Sequence, residues 1–391
     1  MDEDTIRERL RAGLRRYEVP PRQLKGVIRR AGRLRFLRVA VAAAVGGVMI
    51  LGVAVPLLVL SSIQGAPRRP ATTGPVNPTV TADVAVGDFP SAIATGDGSV
   101  WVAVQSRAGG QNVVARIDPA TNEVIERIPV DGLPEWVAIG GGSLWIGLPV
   151  AVQRVDPETG QVIAEIRGAG GRLTFAGGSV WAVASATSIA RIDSSTNDVV
   201  ATVSLDLPGD GYIIAGPVGT AGAVWVIAAL DGDASGVASG QLLRIDVDTN
   251  SVVARIDLEV ASGALAVGDG AAWVARWGAD HTYLTRIDTV TNQADVPVVV
   301  EGGWVPFAVG AGRLWLMGGF VPEIRLAWLN PTAVQLEGSI VVARTLADEG
   351  SGVFDPETDS VWVAQAEDSV TRVDVVAPSA TSSVTRFEAA L

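Results

Sequence analysis

The sequence predicts an all-β fold, a seven-bladed β-propeller, that is preceded by a short helical tail and one transmembrane helix. Seven times, a Gly-rich turn is followed by a small or aliphatic residue and then a tryptophan. These tryptophans are Trp101, Trp145, Trp181, Trp225, Trp273, Trp315 and Trp362. Successive copies lie 36 to 48 residues apart, which is the length of one four-stranded propeller blade. The repeat therefore assigns residues 79–391 to one ring of seven blades.

The first repeat shows how one blade is built. Residues 91–95 predict a short inner strand, and the turn 96–99 follows it. Residues 100–104 predict a second strand that is apolar on both faces, as expected for a sheet packed between two neighbours. Residues 113–118 predict the third strand, and 123–130 the more polar outer strand. An Asp-Pro-Ala-Thr-Asn turn joins these last two strands.

The turn before the outer strand recurs and has a fixed chemistry. Its first residue is Asp, which can accept hydrogen bonds from backbone N–H groups, and its fifth is Asn or Gly, which tolerates positive φ. An Arg stands two residues before the Asp of most copies, on the same strand face, so the Arg can bridge locally or to the next blade. These arginines are Arg116, Arg154, Arg191, Arg244, Arg286 and Arg372.

The last two blades depart from this pattern. In blade 6 a Trp-Leu-Asn-Pro-Thr stretch that begins at Trp328 replaces the Arg-x-Asp start. Blade 7 has two candidates for its outer strand, Val80–Val86 and Ser382–Phe387. We favour the N-terminal candidate, because residues 81–87 resemble residues 125–132 in place and pattern. Either strand would close the ring and remove an exposed sheet edge.

A membrane segment is predicted before the propeller. Residues 39–63 carry no charge and are almost wholly apolar, which is long enough to cross a hydrocarbon core of about 30 Å. A cleaved signal peptide is the alternative, but its apolar region would be shorter. The basic flank lies N-terminal to the segment, so the positive-inside rule places residues 1–38 in the cytoplasm and the propeller outside. Residues 64–78 predict a Pro-rich spacer.

Charge separates the two ends of the chain. Residues 1–38 carry 12 Lys or Arg against 5 Asp or Glu, a net charge of +7, whereas the remainder carries 18 against 37, a net charge of −19. The acidic propeller disfavours nucleic acid as a partner.

The chain has no cysteine, so disulfides, thiolate metal sites and an N-terminal lipid anchor on Cys are excluded. The near absence of Lys, with Lys25 alone, suggests a GC-rich genome such as that of an actinobacterium.

The cytoplasmic tail predicts two short helices. Thr5 and Glu8 form a capping box before an apolar stripe, and Pro20 ends this first helix. A second, basic amphipathic helix follows. This layout resembles the N-terminal segments of actinobacterial membrane proteins that are associated with sigma-factor regulation, which implies a cytoplasmic regulatory partner. The alternative is a basic stub that sets topology and rests on anionic lipid.

The two faces of the disc differ in their connections. The turn face carries the first–second and third–fourth turns of each blade, which are short and alike. The loop face carries the second–third loops, residues 276–283 among them, and the blade-to-blade connections; these segments vary, and binding usually lies on such loops. The candidate ligand-binding residues on the loop face are Phe89, Trp136, Arg276, Trp277, Asp280, His281 and Trp304. The alternative for the additional tryptophans is that they pack between blades or fill the channel.

A metal site is weakly indicated. Asp231, Asp233 and Ser235 match the first oxygen ligands of a calcium loop, but Leu242 stands where the bidentate Glu belongs, so a flexible Gly/Ser/Asp loop is the alternative. His281 beside Asp280 could act as a base, although an ordinary loop histidine is the simpler interpretation. No catalytic residue is assigned, and the sequence calls for no cofactor.

The repeat resembles those of YVTN/NHL-like propellers and of the streptogramin lyase-like group. The resemblance covers about residues 80–391 and is carried by residues 89–103 and 116–122. Streptogramin lyases use paired histidines, a glutamate and a divalent metal, and this chain has one histidine, so the resemblance does not extend to that chemistry. We therefore expect a binding, sensor or protein-interaction module at the cell envelope. The alternatives are a metal-dependent hydrolase or lyase in the channel, and a scaffold without a small ligand.

Overall fold

A computed structural model of the protein describes residues 76–107, 109–232, 238–259, 263–278, 280–318, 323–343, 351–365 and 368–376. These residues form 28 strands in seven four-stranded antiparallel sheets, which confirms the seven-bladed propeller. The predicted tail 1–38, transmembrane helix 39–63 and C-terminal strand 382–387 lie outside them, as does most of the predicted spacer. A search of the described residues for a helix long and apolar enough to cross a membrane finds none.

The first four blades follow the chain in order. Blade 1 contains β2 (Phe89–Gly96), β3 (Ser99–Gln105), β4 (Asn112–Asp118) and β5 (Glu123–Val130). Blade 2 contains β6 (Trp136–Gly140), β7 (Ser143–Leu148), β8 (Ala151–Val155) and β9 (Val162–Arg167). Blade 3 contains β10 (Gly170–Ala176), β11 (Ser179–Ser185), β12 (Ser188–Asp193) and β13 (Val199–Ser204). Blade 4 contains β14 (Tyr212–Gly219), β15 (Ala223–Gly232), β16 (Ala238–Asp246) and β17 (Ser251–Leu258).

The remaining blades keep the same order until the ring closes. Blade 5 contains β18 (Leu265–Gly268), β19 (Ala271–Trp277), β20 (His281–Asp288) and β21 (Val298–Glu301). Blade 6 contains β22 (Trp304–Gly310), β23 (Arg313–Gly318), β24 (Ile324–Asn330) and β25 (Gln335–Ala343). Blade 7 contains β26 (Gly352–Asp355), β27 (Ser360–Ala364) and β28 (Ser369–Val376), and its outer strand is β1 (Asn77–Ala85).

The ring is closed by the N-terminal strand, as the sequence predicted. β1 pairs antiparallel with β28, from Asn77 opposite Val376 to Ala85 opposite Ser369. Val84 and Val86 are buried against blade 1, so the closing strand also contributes to the core. The predicted domain boundary at residue 79 falls inside β1, because the strand begins at Asn77. Since β1 enters beside the end of β28, the chain joins the propeller at its turn face.

The seven repeat tryptophans form the core between blades. Each is at most 1% exposed and lies on the second strand of its blade. Trp101, for example, packs with Leu144 and Ile146 of blade 2, and Trp362 of blade 7 packs with Val100 of blade 1. A side chain of this size, buried between one blade and the next, fixes the spacing of the neighbouring sheets.

The repeated arginines lie directly opposite the repeat tryptophans and join neighbouring blades. Five guanidinium groups stack on their tryptophan rings, 5.0 to 5.6 Å from the centroids. Each also donates a hydrogen bond to the turn of the next blade that begins with Asp and ends with Asn or Gly, in agreement with the strand alternation. The acceptors are Pro157 O for Arg116 (3.1 Å), Asn197 Oδ1 for Arg154 (2.9 Å), Asn250 Oδ1 for Arg191 (2.8 Å), Thr289 O for Arg244 (2.9 Å) and Asn122 Oδ1 for Arg372 (2.8 Å).

The arginine-to-turn contact is interrupted around blade 6. Arg286 of blade 5 instead bonds Asp295 of its own blade at 3.2 Å. The blade-6 turn keeps the same geometry around Asn330, but Val334 stands where the other turns have Asn or Gly. In blade 6 itself Trp328 takes the place of the arginine and lies 6.3 Å from Trp315. Among the described residues, the contact thus joins blades 1–2, 2–3, 3–4, 4–5 and 7–1, but not 5–6 or 6–7.

The repeated chemistry of the turns is as predicted. The fifth residue has positive φ in each copy, for example 59° at Asn122 and 66° at both Gly160 and Asn197. The Asp193 carboxylate accepts hydrogen bonds from the Ser195 hydroxyl and from backbone N–H groups, which lowers the pKa of Asp193 below its ordinary value. These bonds favour the ionised form and hold the turn that receives the neighbouring arginine.

Candidate functional site

The candidate site is the hairpin formed by β19 and β20 on the loop face of blade 5. Its strands pair Arg276 with Tyr283 and Trp277 with Thr282, and a short connection follows Trp277. The Gly278 N–H donates to the His281 carbonyl at 2.8 Å, and the Gly302 N–H donates to the Asp280 carbonyl at 2.9 Å. The predicted variable loop 276–283 is therefore mostly strand, and its tip is tied to the connection that leads to blade 6.

Trp277 is the exposed aromatic side chain of this hairpin. Trp277 lies on the same face of β19 as Trp273 and Ala275, which are both buried. Because it stands at the end of the strand, 52% of Trp277 is exposed. The seven repeat tryptophans are at most 1% exposed. Burial of this indole against a partner would remove a large apolar surface from water, so Trp277 is suited to contact another molecule.

Arg276 is held in place beside Trp277. Its guanidinium carbon lies 3.7 Å from the centroid of the Tyr283 ring, and its Nη2 lies 3.8 Å from Glu259 Oε2. Stacking on an aromatic ring and pairing with a carboxylate both restrict the side chain before any partner arrives. Because 33% of the side chain remains exposed, its outer N–H groups can still donate to an acceptor.

His281 completes the support beneath Tyr283. Its ring meets the Tyr283 ring edge-on at 4.7 Å, and Nδ1 lies 2.6 Å from Asp280 Oδ1. Gly278 packs against the other nitrogen, since a Cβ at position 278 would lie 2.6 Å from Nε2. The histidine is therefore fixed between Asp280, Tyr283 and Gly278, an arrangement that positions the hairpin.

The remaining predicted residues lie on other blades. Phe89 of blade 1 is half-buried beneath the Arg107 guanidinium, 4.1 Å from its ring centroid. Trp136 is half-buried and packs against the cores on both sides of blade 2. Trp304 is 7% exposed, and its Nε1 donates to the Glu301 carbonyl at 2.6 Å. Trp304 therefore packs between blades, as the alternative interpretation of the additional tryptophans expected. Trp277 is the additional tryptophan whose side chain is exposed enough to contact a ligand.

The weak metal prediction falls largely outside the structure. Asp233 and Ser235 lie outside the described residues, and only the backbone of Asp231 is described. Within the described ranges, no group of three or more histidines and carboxylates is placed to hold a metal ion. The calcium site and the metal-dependent hydrolase both stay predictions.

Comparison with known proteins shows the fold and no family. No protein-family model and no curated protein matches the chain. A chain of hydrazine synthase from Kuenenia stuttgartiensis has a TM-score of 0.54 and 15% identity, over 74% of this chain and 96% of its own. BamB from Moraxella catarrhalis has a TM-score of 0.51 and 14% identity, over 76% of this chain and 100% of its own. At such identities the likeness establishes a β-propeller and leaves the function open.

Four of the seven residues predicted from the sequence, Arg276, Trp277, Asp280 and His281, lie together on the β19–β20 hairpin. The sequence analysis missed two residues that contact them. Tyr283 supports both Arg276 and His281, and Glu259, the residue directly after the outer strand of blade 4, pairs with Arg276. The partnership of Arg276 with Tyr283 could have been predicted, because a three-residue connection after Trp277 fixes that register. The contact with Glu259 could not, because it depends on how β17 and β19 sit in neighbouring blades.

Proposed function

We propose that the protein is an envelope-anchored module that binds a protein partner through the β19–β20 hairpin of blade 5. Three side chains of this hairpin, Arg276, Trp277 and Tyr283, belong to the residue types most enriched at the centres of protein interfaces. They lie on a rigid scaffold, so little conformational entropy is lost when a partner docks.

The exposure of Trp277 is the observation that carries this proposal. A 52% exposed indole at the end of a strand whose other inward residues are buried has no role in the core of the blade. Its neighbour Arg276 is pre-oriented by Tyr283 and Glu259. An aromatic anchor next to an oriented guanidinium can bury apolar surface and donate directed hydrogen bonds to the same partner.

Membrane anchoring is part of the proposal and is supported by the sequence. Residues 39–63 are uncharged, and the basic tail precedes them, which favours a cytoplasmic N-terminus and an extracytoplasmic propeller. The chain enters the propeller at its turn face, at Asn77. A tether N-terminal to β1 is therefore attached to the propeller at the face opposite to the blade-5 hairpin. A sensor role, in which binding is relayed to residues 1–38, extends this proposal.

Site-specific crosslinking in intact cells tests the proposal. A photoreactive residue replaces Asp280, whose side chain is 88% exposed beside Trp277, and a matched one replaces Val290, which is 82% exposed on the turn face of the same blade. We expect a discrete adduct with a second protein from position 280, its loss when Trp277→Ala is added, and no such adduct from position 290. An adduct that survives Trp277→Ala, or equal adducts from both positions, would overturn the assignment.

A further inference from the structure

One outer strand of the propeller lacks the protection that the other six have. The outer strands are β1, β5, β9, β13, β17, β21 and β25, and each of them except β13 contains at least one charged residue. β1 and β5 also contain a proline, and a proline immediately precedes the short β21. Charges, prolines and short length are the usual means by which an exposed sheet edge is kept from pairing with another chain. β13, with the sequence Val-Val-Ala-Thr-Val-Ser, has none of these three features and keeps only the bulge at Val200, which β5, β9 and β17 have at the same place in addition to their charges.

The open edge of β13 presents both backbone groups and apolar side chains. Among the described residues, β13 is the last strand of its sheet and pairs with β12 on one side only. Val199 and Val200 at its start are 42% and 53% exposed, and Thr202 and Ser204 are exposed as well. A row of N–H and C=O groups at a sheet edge is complementary to another extended polypeptide.

We propose that β13 accepts an extended segment of a partner protein as a fifth strand of blade 3. The backbone groups of the edge specify a polypeptide, and the uncharged, β-branched surface favours a partner strand with uncharged β-branched residues at its centre. Exposed Asp198 and Asp206 lie at the two ends of β13, in a domain whose net charge is negative. The partner segment is therefore expected to carry Lys or Arg at its ends, where these carboxylates can pair with them.

This edge site is separate from the blade-5 hairpin. β13 belongs to blade 3 and runs along the rim of the ring, whereas Trp277 lies on the loop face of blade 5. The two sites can therefore be tested independently, and Trp277→Ala serves as a control that should leave binding at β13 unchanged.

Peptide binding to the full-length chain tests the proposal. The probe is a fluorescent seven-residue peptide of alternating Val and Thr with Lys at each end, and its anisotropy reports binding. One control peptide has Pro at its centre, which removes a backbone donor while the ends are kept, and a second has Glu at each end. We expect the Lys-ended peptide to bind, the Pro peptide to show no saturable binding, and the Glu-ended peptide to bind at least about tenfold more weakly.

Matched variants of the protein locate the site. Val200 on β13 and Val253 on β17 are similarly exposed, at 53% and 49%, near the start of their outer strands. We expect Val200→Lys to weaken binding of the Lys-ended peptide at least about fivefold through lost cross-strand contact and added like charge, and Val253→Lys to change it less than about twofold. Equal effects of the two substitutions, equal binding of the Pro peptide, or no binding of the Lys-ended peptide up to about 1 mM would overturn the proposal. So would self-association of the full chain that Val200→Lys abolishes, since a second copy would then occupy the edge.

Discussion

A natural difference between blades predicts that one substitution will stabilise the protein. In blades 1, 2 and 3 the stacked arginine donates from Nε to a buried serine, with Arg116–Ser99, Arg154–Ser143 and Arg191–Ser179 each at 2.9 Å. Blade 4 has Ala223 at the equivalent position, two residues before its tryptophan. Within the described part of the chain, the buried Nε of Arg244 has no hydrogen-bond partner. Ala223→Ser should supply it.

The size of the effect follows from the chemistry of this bond. A hydrogen bond that involves a charged group contributes about 1.5–3 kcal/mol, and a buried donor without a partner costs about 1–3 kcal/mol. Part of the gain is offset when the new hydroxyl is itself transferred from water to a site where Ala223 is only 2% exposed. We therefore expect Ala223→Ser to raise the free energy of unfolding by about 1 kcal/mol, and Ser143→Ala to lower it by about 2 kcal/mol.

Equilibrium unfolding in guanidinium chloride measures both changes, on a fragment that begins before Asn77 so that β1 is retained. The matching melting-temperature change for Ala223→Ser is about 2 °C upward. Ala271→Ser in blade 5 is the control, because Arg286 there is turned toward Asp295; its new hydroxyl is buried without that partner, so the free energy of unfolding should fall by about 1 kcal/mol. The reasoning is refuted if Ala223→Ser destabilises the fold, or if Ala271→Ser stabilises it equally.

Three further predictions follow from the fold. Trp273→Ala should lower the free energy of unfolding by about 3–5 kcal/mol, because the indole fills the core between blades 5 and 6; a change near zero in a denaturant titration would contradict that packing. The pKa of Asp193 is lowered by hydrogen bonds from Ser195 and from the backbone, so the stability that it contributes is present above its ordinary value of 3.8 and lost as the pH falls below it. Melting temperatures between about pH 5 and pH 2 should therefore depend less on pH in Asp193→Asn than in the unaltered protein, and parallel curves would show that the turn carboxylate is not protonated in this way. Hydrogen exchange of strands β22 to β25 should be faster than that of β10 to β13, since blade 6 lacks the arginine-to-turn contact on both sides; slower exchange in blade 6 would show that apolar packing alone compensates.

The repeat made the scaffold predictable from the sequence. The tryptophan spacing gave the number of blades, and the pattern around Trp101 placed the four strands of blade 1 within about two residues of their observed bounds. The inter-blade role of the arginines followed from strand alternation, since each Arg and its Asp share a face. The resemblance of residues 81–87 to 125–132 favoured the N-terminal strand over Ser382–Phe387, and the pairing of β1 with β28 agrees with that preference.

The site was less predictable, because it depends on contacts between elements that are distant in sequence. Trp277 and Trp304 both follow strand patterns and look alike in the sequence, but one is 52% exposed and the other 7%. Burial of Trp304 results from the core between blades 5 and 6, which strand patterns do not show. The segment 276–283 was expected to be a loop because it breaks the repeat, whereas its residues pair as strands and its tip is held by Gly302.

Hydrogen exchange of the full-length chain, alone and with the protein captured at position 280, tests the proposed binding role most directly. The account predicts that peptides covering β19 and the tip of its hairpin, through Tyr283, become protected in the complex, and that this protection is lost with Trp277→Ala. The turn-face segment around Val290 serves as an internal reference and should exchange equally in both states. Protection of that reference segment with no change at the hairpin would contradict the account, since the partner would then bind the opposite face of the propeller.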